Sequence, residues 1–94
     1  MTTIKTRELS RVLEEKGFSC REGSHKFYFL YTNGRKTSVR TKISHGIPEY
    51  GDPLLAQVRH QLSLTSPEFQ DFIECPLTAS GYVDLLVQKG RIRL

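Results

Sequence analysis

The sequence predicts an α+β fold in which a helix, a three-stranded antiparallel sheet and a second helix are followed by additional C-terminal helices. Two segments, 9–13 and 54–62, carry apolar residues at the three- and four-residue spacing of an amphipathic helix. Between them, segment 35–44 alternates strictly in polarity, which is typical of a strand with one exposed face. Asn33-Gly34 is the favoured central pair of a type I′ hairpin. The 94 residues are expected to form a single domain, 1–94.

The first helix is expected to begin at Thr6, whose side chain can cap it, and to end at Gly17. A short strand, 18–21, and a longer strand rich in Phe and Tyr, 25–32, should follow the helix. The apolar face of the helix consists of Leu9, Val12 and Leu13.

The third predicted strand, 35–44, pairs with the second through the Asn33-Gly34 hairpin. Its less polar face consists of Thr37, Val39, Thr41 and Ile43. Its other face consists of Lys36, Ser38, Arg40 and Lys42. One face of the sheet is therefore expected to be exposed and basic.

The second helix is expected after a loop, 45–51, that contains glycine and proline. Asp52 can cap this helix and Pro53 can take its first position, where a missing amide proton costs nothing. Its apolar stripe consists of Leu54, Leu55, Val58 and Leu62.

The C-terminal segment 63–94 is predicted to form two further helices. Ser66-Pro67 opens the first, Pro76 interrupts the chain and Gly90 ends the second. Its two helices carry, among other apolar residues, Phe69, Phe72, Ile73, Tyr82, Leu85, Leu86 and Val87. Because so much apolar surface is costly to leave in water, and the loop before it is short, we expect the segment to pack within its own chain.

The composition indicates a globular protein, since 37% of the residues are apolar and 26% are charged. Such a small domain favours a shallow surface site over a deep cavity. No stretch approaches the roughly 20 apolar residues of a membrane helix, so we expect a soluble, cytoplasmic protein with no membrane association. Cys20 and Cys75 are too few for a disulfide framework, and we expect both to be reduced structural thiols.

Charge is distributed unevenly along the chain, whose net charge is +4. Residues 1–44 contain ten Lys and Arg against four Asp and Glu, whereas residues 45–94 contain four against six. The first half is therefore the candidate region for binding a polyanion such as RNA. The alternative is a basic face that is simply solvated and binds nothing.

Four short stretches together resemble the HicA family, also called YcfA-like. They are Leu9–Phe18 (LSRVLEEKGF), Gly23–Tyr28 (GSHKFY), Asn33–Arg35 (NGR) and His45–Gly46 before a leucine-bearing helix. The resemblance covers 6–62. The segment 63–94 has no recognisable counterpart in the family core and is treated as a C-terminal helical extension.

The resemblance implies a double-stranded-RNA-binding-domain-like fold and the activity of a toxin that cleaves mRNA. It also implies inhibition by a HicB-type antitoxin protein. The essential histidine of the family falls on His25, and Gly23 and Ser24 are the residues of the same motif that support it.

His25 is thus the candidate catalytic residue of an endoribonuclease. Histidine side chains exchange protons near neutral pH, which helps to activate a ribose 2′-hydroxyl or to protonate a leaving oxygen. Nearby cations could bind phosphate and stabilise the charge that develops on it, and Tyr28 and Tyr31 could stack on unpaired bases. These cations are Lys26, Lys36, Arg40 and Lys42. We expect no cofactor and no metal, since the cysteines and histidines lack zinc-like spacing.

Several assignments remain open from sequence alone. Strict alternation puts His25 on the side of Phe27, Phe29 and Tyr31, and Lys26 and Tyr28 on the other, unless a bulge at Gly23 changes this parity. The sequence does not decide which of the two sets shares the basic face. Aromatic residues in a central strand also commonly belong to the core.

The histidines have structural readings as well. His25 could open a strand and only bind its neighbours through hydrogen bonds. His45 is either a second proton carrier or an ordinary loop residue, and His60 is interpreted as a surface residue of the second helix.

Two alternatives to a ribonuclease remain. One is a non-catalytic module of the same fold that binds RNA or only a protein partner. The other is an assembly protein that uses the added helices as an interface, including one with a second copy of the chain.

Overall fold

The architecture is α+β, as predicted, and the described residues form a three-stranded antiparallel sheet and four helices. The structure is a computed structural model that describes residues 3–44, 46–74 and 76–93. Within these ranges the elements are β1 (Thr3–Lys5), α1 (Thr6–Glu15), β2 (Phe18–Glu22), β3 (Lys26–Thr32), β4 (Arg35–Ile43), β5 (Glu49–Gly51), α2 (Asp52–Gln61), α3 (Ser66–Glu74) and α4 (Ala79–Gln88).

The three-stranded sheet has the order β2-β3-β4, with both pairs antiparallel. Asn33 and Gly34 both adopt positive φ, 54° and 72°, which confirms the predicted hairpin. The β3–β4 register shifts between Phe29 and Tyr31. At this bulge the Thr37 hydroxyl donates a hydrogen bond of 3.0 Å to the Leu30 carbonyl. The side chain thus satisfies a carbonyl group where the regular backbone pairing of the two strands is interrupted.

Side chains of β4 alternate between the two faces of the sheet, as predicted. Val39, Thr41 and Ile43 are buried, whereas Arg40 and Lys42 are exposed. The predicted strand ends are correct to within one residue: β2 extends to 22, His25 precedes β3 and Ser44 follows β4.

A second sheet, of only two strands, was not predicted. β1 pairs antiparallel with β5, and the central pair, Ile4 and Tyr50, is buried. The prediction of a loop throughout 45–51 is therefore wrong for Glu49–Gly51. Strands of three residues are too short for a periodicity, and their pairing joins segments far apart in sequence.

This small sheet also changes how two helices begin. β1 runs directly into α1, so Lys5 is the N-cap, and the Thr6 amide and hydroxyl both donate to the Pro48 carbonyl, at 2.9 and 3.2 Å. The prediction that Thr6 caps α1 is wrong. Asp52 is likewise the first residue of α2 rather than its cap, because Gly51 of β5 takes the N-cap position.

Helices α1 and α2 contribute to a single cluster of buried residues that includes one face of the three-stranded sheet. Tyr28, Leu30 and Val39 are buried on that face, with no more than 1% of each exposed. The buried residues of α1 are Leu9, Val12 and Leu13, as predicted, and those of α2 are Leu55 and Val58. We call this the covered face of the sheet, and the opposite side its open face.

The C-terminal helices belong to the same core. Phe72, Tyr82 and Leu86 have no exposed surface, and Phe69 has 3%. The Tyr82 hydroxyl donates a hydrogen bond of 2.8 Å to the Leu62 carbonyl, which ties α4 to the end of α2. The segment 63–94 therefore packs within its own chain, as predicted, although Val87 is 40% exposed.

Lys16 provides a further link that the sequence did not predict. It is 5% exposed, and its ammonium donates a hydrogen bond of 2.5 Å to the Leu77 carbonyl before α4. The same ammonium lies 5.8 Å from the centre of the Phe72 ring. A buried ammonium needs such a partner, so this contact joins the end of α1 to the extension.

Burial of Tyr28 predicts a loss of stability at alkaline pH. Desolvation of the phenol raises the pKa of Tyr28 from its ordinary value of 10 to about 12. The folded state therefore retains the phenolic proton more strongly than the unfolded state. The protonated phenol of Tyr28 therefore stabilises the folded state fully below pH 10, and this stabilisation is lost as the pH rises from 10 towards 12.

The free energy of unfolding should fall between pH 9 and pH 11, and in Tyr28→Phe this fall should be smaller by roughly 1 kcal/mol. Urea unfolding of both proteins at the two pH values measures the effect. Equal losses in the variant and the wild type would show that Tyr28 does not contribute to the pH dependence.

Candidate nucleic-acid interface

The open face of the sheet interleaves aromatic and basic side chains. The cross-strand pairs on it are Arg21 with Phe27, Phe27 with Lys42, Phe29 with Arg40, and Tyr31 with Lys36. The four cations are exposed, the two phenylalanines are half-buried and Tyr31 is 40% exposed. The aromatic row of β3 is thus the set that shares the basic face.

A cation–π contact lies within this surface. The Lys36 ammonium is 3.9 Å from the centre of the Phe29 ring, close enough for direct attraction to its π electrons. The register shift between Phe29 and Tyr31 lets Lys36 reach Phe29 although its backbone partner is Tyr31. The contact orients one cation against an aromatic ring on the face where a ligand would bind.

A shallow hollow of about 670 Å³ opens on this face. Its lining includes the rings of Phe27 and Phe29 and the cations Arg40, Lys42 and Arg91. No carboxylate lines it among the residues described in the structure. A site with aromatic surface and uncompensated positive charge is suited to an anionic ligand that carries flat apolar rings.

His25 lies at one end of the open face, in the bend just before β3. The bend is closed by a hydrogen bond of 3.0 Å from the Gly23 amide to the His25 carbonyl. The imidazole contacts Phe27 edge-on, with ring centres 6.1 Å apart, and Phe27 is the partner of Lys42. His25 is therefore next to the aromatic row, at the end of the sheet where Lys42 lies.

The two ring nitrogens of His25 differ in their surroundings. Nδ1 is buried and has no hydrogen-bond partner among the described residues, which is unusual for a buried polar atom. Nε2 is not among the buried atoms that lack a partner, so it is the ring nitrogen that could contact a ligand. Gly23 and Ser24, the other residues of the motif, are exposed in the same bend.

Of the predicted RNA-binding residues, Lys36, Arg40 and Lys42 lie together on the open face. Tyr28 and Lys26 do not, because alternation along β3 directs them to the covered side. Tyr28 is 1% exposed, so the prediction that it stacks on a base is wrong. Lys26 lies 4.0 Å from the Glu22 carboxylate and lines a separate depression with Arg7.

Sequence reasoning missed four members of this surface. One is Arg21, which lies on the edge strand β2 and pairs with Phe27. Phe27 and Phe29 lie on the open face, where the sequence analysis had proposed Tyr28 as a base-stacking residue. Only the alternation of side chains along β3 distinguishes these two phenylalanines from Tyr28. Arg91 comes from the tail after α4, which is too short to show a pattern. No sequence signal indicated that this tail returns to β4.

The remaining candidates lie elsewhere. His60 is exposed on α2, as predicted, whereas His45 and Cys75 fall outside the described residues. Cys20 is a free thiol, exposed on the edge strand β2. In the described ranges no group of three or more His, Cys, Asp or Glu side chains could hold a metal ion.

None of the helices described is long and apolar enough to span a bilayer.

Comparisons with protein-family models, curated proteins and solved structures found no match for this chain.

Proposed function

We propose that this protein is a HicA-like endoribonuclease that binds unpaired RNA, such as mRNA, on the open face of its sheet. The observation that carries the proposal is the aromatic and basic surface of β3 and β4, with His25 at its end. Cations supply sequence-independent attraction to the phosphate backbone, and exposed rings supply stacking surfaces for bases. Both requirements of single-stranded RNA binding thus meet on one face.

The order of elements supports the fold that the resemblance implies. A helix, three antiparallel strands and a helix follow one another as α1, β2, β3, β4 and α2. This order is consistent with a double-stranded-RNA-binding-domain-like core. In our proposal, however, the ligand is unpaired, because stacking on Phe27, Phe29 or Tyr31 requires bases that are not already stacked in a duplex.

The proposed chemistry is attack of a ribose 2′-hydroxyl on the neighbouring phosphorus. The hydroxyl loses its proton as the new bond forms, and the bond to the 5′-oxygen breaks. The products are a 2′,3′-cyclic phosphate and, after that oxygen gains a proton, a 5′-hydroxyl. His25 Nε2 carries one of these two proton transfers, while Lys42 and Arg40 stabilise the negative charge on the phosphoryl oxygens.

A HicB-like antitoxin fits the proposal as a protein that covers the same surface. Four exposed cations on the open face would attract an acidic partner and exclude RNA while it is bound. The assignment of the protein as a toxin rests on the resemblance and on this competition.

A non-catalytic RNA-binding module is the second candidate, and the single histidine at the site favours it. Cleavage needs both an acid and a base, and His25 is the one histidine in contact with the open face among the described residues. Binding alone needs only the cations and the aromatic rings.

The test is His25→Ala, with His60→Ala as the matched control, because His60 is an exposed histidine away from this face. End-labelled unstructured RNA is incubated with each protein at equal concentration. His25→Ala should cleave at least about 100-fold more slowly and bind RNA within about threefold of the wild type. His60→Ala should cleave normally.

Two outcomes would contradict the catalytic assignment. A folded His25→Ala variant that cleaves as fast as the wild type would exclude His25 from the chemistry. Tight binding by the wild type with no cleavage after long incubation would identify the non-catalytic module instead.

A further inference from the structure

A second hollow lies beside the turn end of the β3–β4 hairpin and has no role in the chemistry above. Its volume is about 580 Å³, and its lining includes Arg35, Lys36, Arg91 and Arg93. Ser38 and Arg91 line this hollow and also the one on the open face, so the two are adjacent. We call it the tail hollow, because two of its four cations come from the tail after α4.

The tail is fixed in place by its own backbone and by one apolar side chain. Gly90 adopts a φ of 72°, and the Arg91 amide donates a hydrogen bond of 2.9 Å to the Leu86 carbonyl. Ile92 is 8% exposed and belongs to the core, while Arg91 and Arg93 on either side of it are exposed. The two arginines are thus held beside β4 before any ligand arrives, which lowers the entropy cost of binding.

The described residues supply no counter-charge to the tail hollow. Its four cations take part in none of the ion pairs found among the described residues. No Asp or Glu side chain of the described ranges lines it. Four neighbouring cations without a counter-charge repel one another, so an anionic ligand that binds all of them is strongly favoured.

We infer that the tail hollow binds backbone phosphates of the same unpaired RNA strand that the open face binds. This inference rests on the proposed RNA-binding function and extends it. A protein with an acidic surface would match the charge as well. Because the tail hollow continues directly into the aromatic hollow of the open face, a ligand that alternates phosphates with flat bases is favoured. Tyr31 offers such a ligand a ring beside the tail hollow, since it pairs with Lys36.

The inference sets a minimum length for the RNA. From Phe27 to Thr32 the strand β3 advances about 17 Å, at roughly 3.3 Å per residue. A strand that lies along β3 from His25 must pass this distance before it reaches the tail hollow. RNA of two or three nucleotides is too short to pass this distance and should therefore occupy the open face alone, whereas RNA of ten or more nucleotides should occupy both.

The test combines a double variant with RNA of two lengths. Arg35→Ala/Arg93→Ala removes two cations that line only the tail hollow. Lys5→Ala/Arg7→Ala is the matched control, since it removes two exposed cations that line neither hollow. Binding of fluorescent oligouridylates of 3 and 12 nucleotides is measured by anisotropy over a range of salt concentrations, after equal melting temperatures have been verified.

The expected result is a loss for the variant of tenfold or more in affinity for the 12-nucleotide RNA, with a change of less than about threefold for the 3-nucleotide RNA. The slope of log affinity against log salt for the longer RNA should decrease by about 1.4, or roughly 0.7 for each phosphate contact removed. The control variant should change neither affinity by more than about threefold.

Three outcomes would overturn the inference, and they are distinguishable. If the wild type binds RNA and the two double variants have equal effects, the tail hollow is not an RNA-binding site. That result would not affect the proposed function. Equal affinity for a 12-base-pair RNA duplex would reject an unpaired ligand. Failure of the wild type to bind either oligouridylate would reject the proposed function together with the inference.

Discussion

Removal of residues 63–94 should leave a chain that does not fold cooperatively. Phe69, Phe72, Tyr82 and Leu86 are each at most 3% exposed, and all four are removed. Burial of such side chains contributes about 1.5 to 3 kcal/mol each, so their combined loss rivals the roughly 5 to 15 kcal/mol that stabilises a typical domain. Circular dichroism melting and size-exclusion chromatography of the truncated chain should show a broad transition or aggregation.

Two variants of Tyr82 provide an internal control for the truncation. Tyr82→Phe removes only the hydroxyl that donates to Leu62 and should cost about 1 kcal/mol. Tyr82→Ala also leaves a cavity against Phe18 and Phe72 and should cost about 3 to 5 kcal/mol. A truncated chain that stays soluble and melts cooperatively near the full-length temperature would contradict this account. It would indicate instead that the extension serves mainly as an interface.

Loss of two cations from the open face should produce the largest change in RNA affinity. Arg40→Ala/Lys42→Ala removes exposed charges that face Phe29 and Phe27, at the centre of the proposed site. We expect about a 100-fold weaker affinity for unpaired RNA at low salt, together with a shallower dependence on salt. Titration of a labelled oligonucleotide by anisotropy measures both quantities.

Lys26 and Lys42 form a matched pair for this experiment. Lys26 pairs with Ile43 and Lys42 pairs with Phe27, so the two lysines lie at the same end of the sheet but on opposite sides. Lys42→Ala should weaken RNA binding by about tenfold, and Lys26→Ala by less than about threefold. Equal effects of the two substitutions would indicate general electrostatic attraction rather than a site on the open face.

The parts of the fold that the sequence predicted are those set by local chemistry. Asn33-Gly34 determines the hairpin because both residues tolerate positive φ, and the alternation along β4 determines which side chains are exposed. Gly17 and Gly90 end α1 and α4 at the predicted positions with positive φ. Each of these features depends on a few adjacent residues.

The parts that the sequence did not predict depend on contacts between distant segments. β1 and β5 form only because Ile4 and Tyr50 meet, and this pairing in turn displaces Thr6 and Asp52 from the capping positions. The buried Lys16 is a similar case, since its acceptor is the carbonyl of Leu77, 61 residues later. Neither contact leaves a periodic signal in the sequence.

The candidate site was predicted in part for the same reasons. Lys36, Arg40 and Lys42 follow directly from the alternation of β4. Tyr28 was misassigned because both faces of β3 carry aromatic residues, so composition does not distinguish the core side from the open side. Arg91 and Arg93 were missed because burial of Ile92 against the core, a tertiary contact, brings the tail to β4.

The most direct test of the central claim is to locate the RNA on the protein by photo-cross-linking. Unstructured RNA that contains 4-thiouridine is irradiated with the wild-type protein, and the cross-linked peptides are identified by mass spectrometry. The account predicts cross-links in β3 at Phe27, Phe29 or Tyr31, and their loss in Arg40→Ala/Lys42→Ala. Cross-links confined to α1 or α2, with none in β3 or β4, would contradict it.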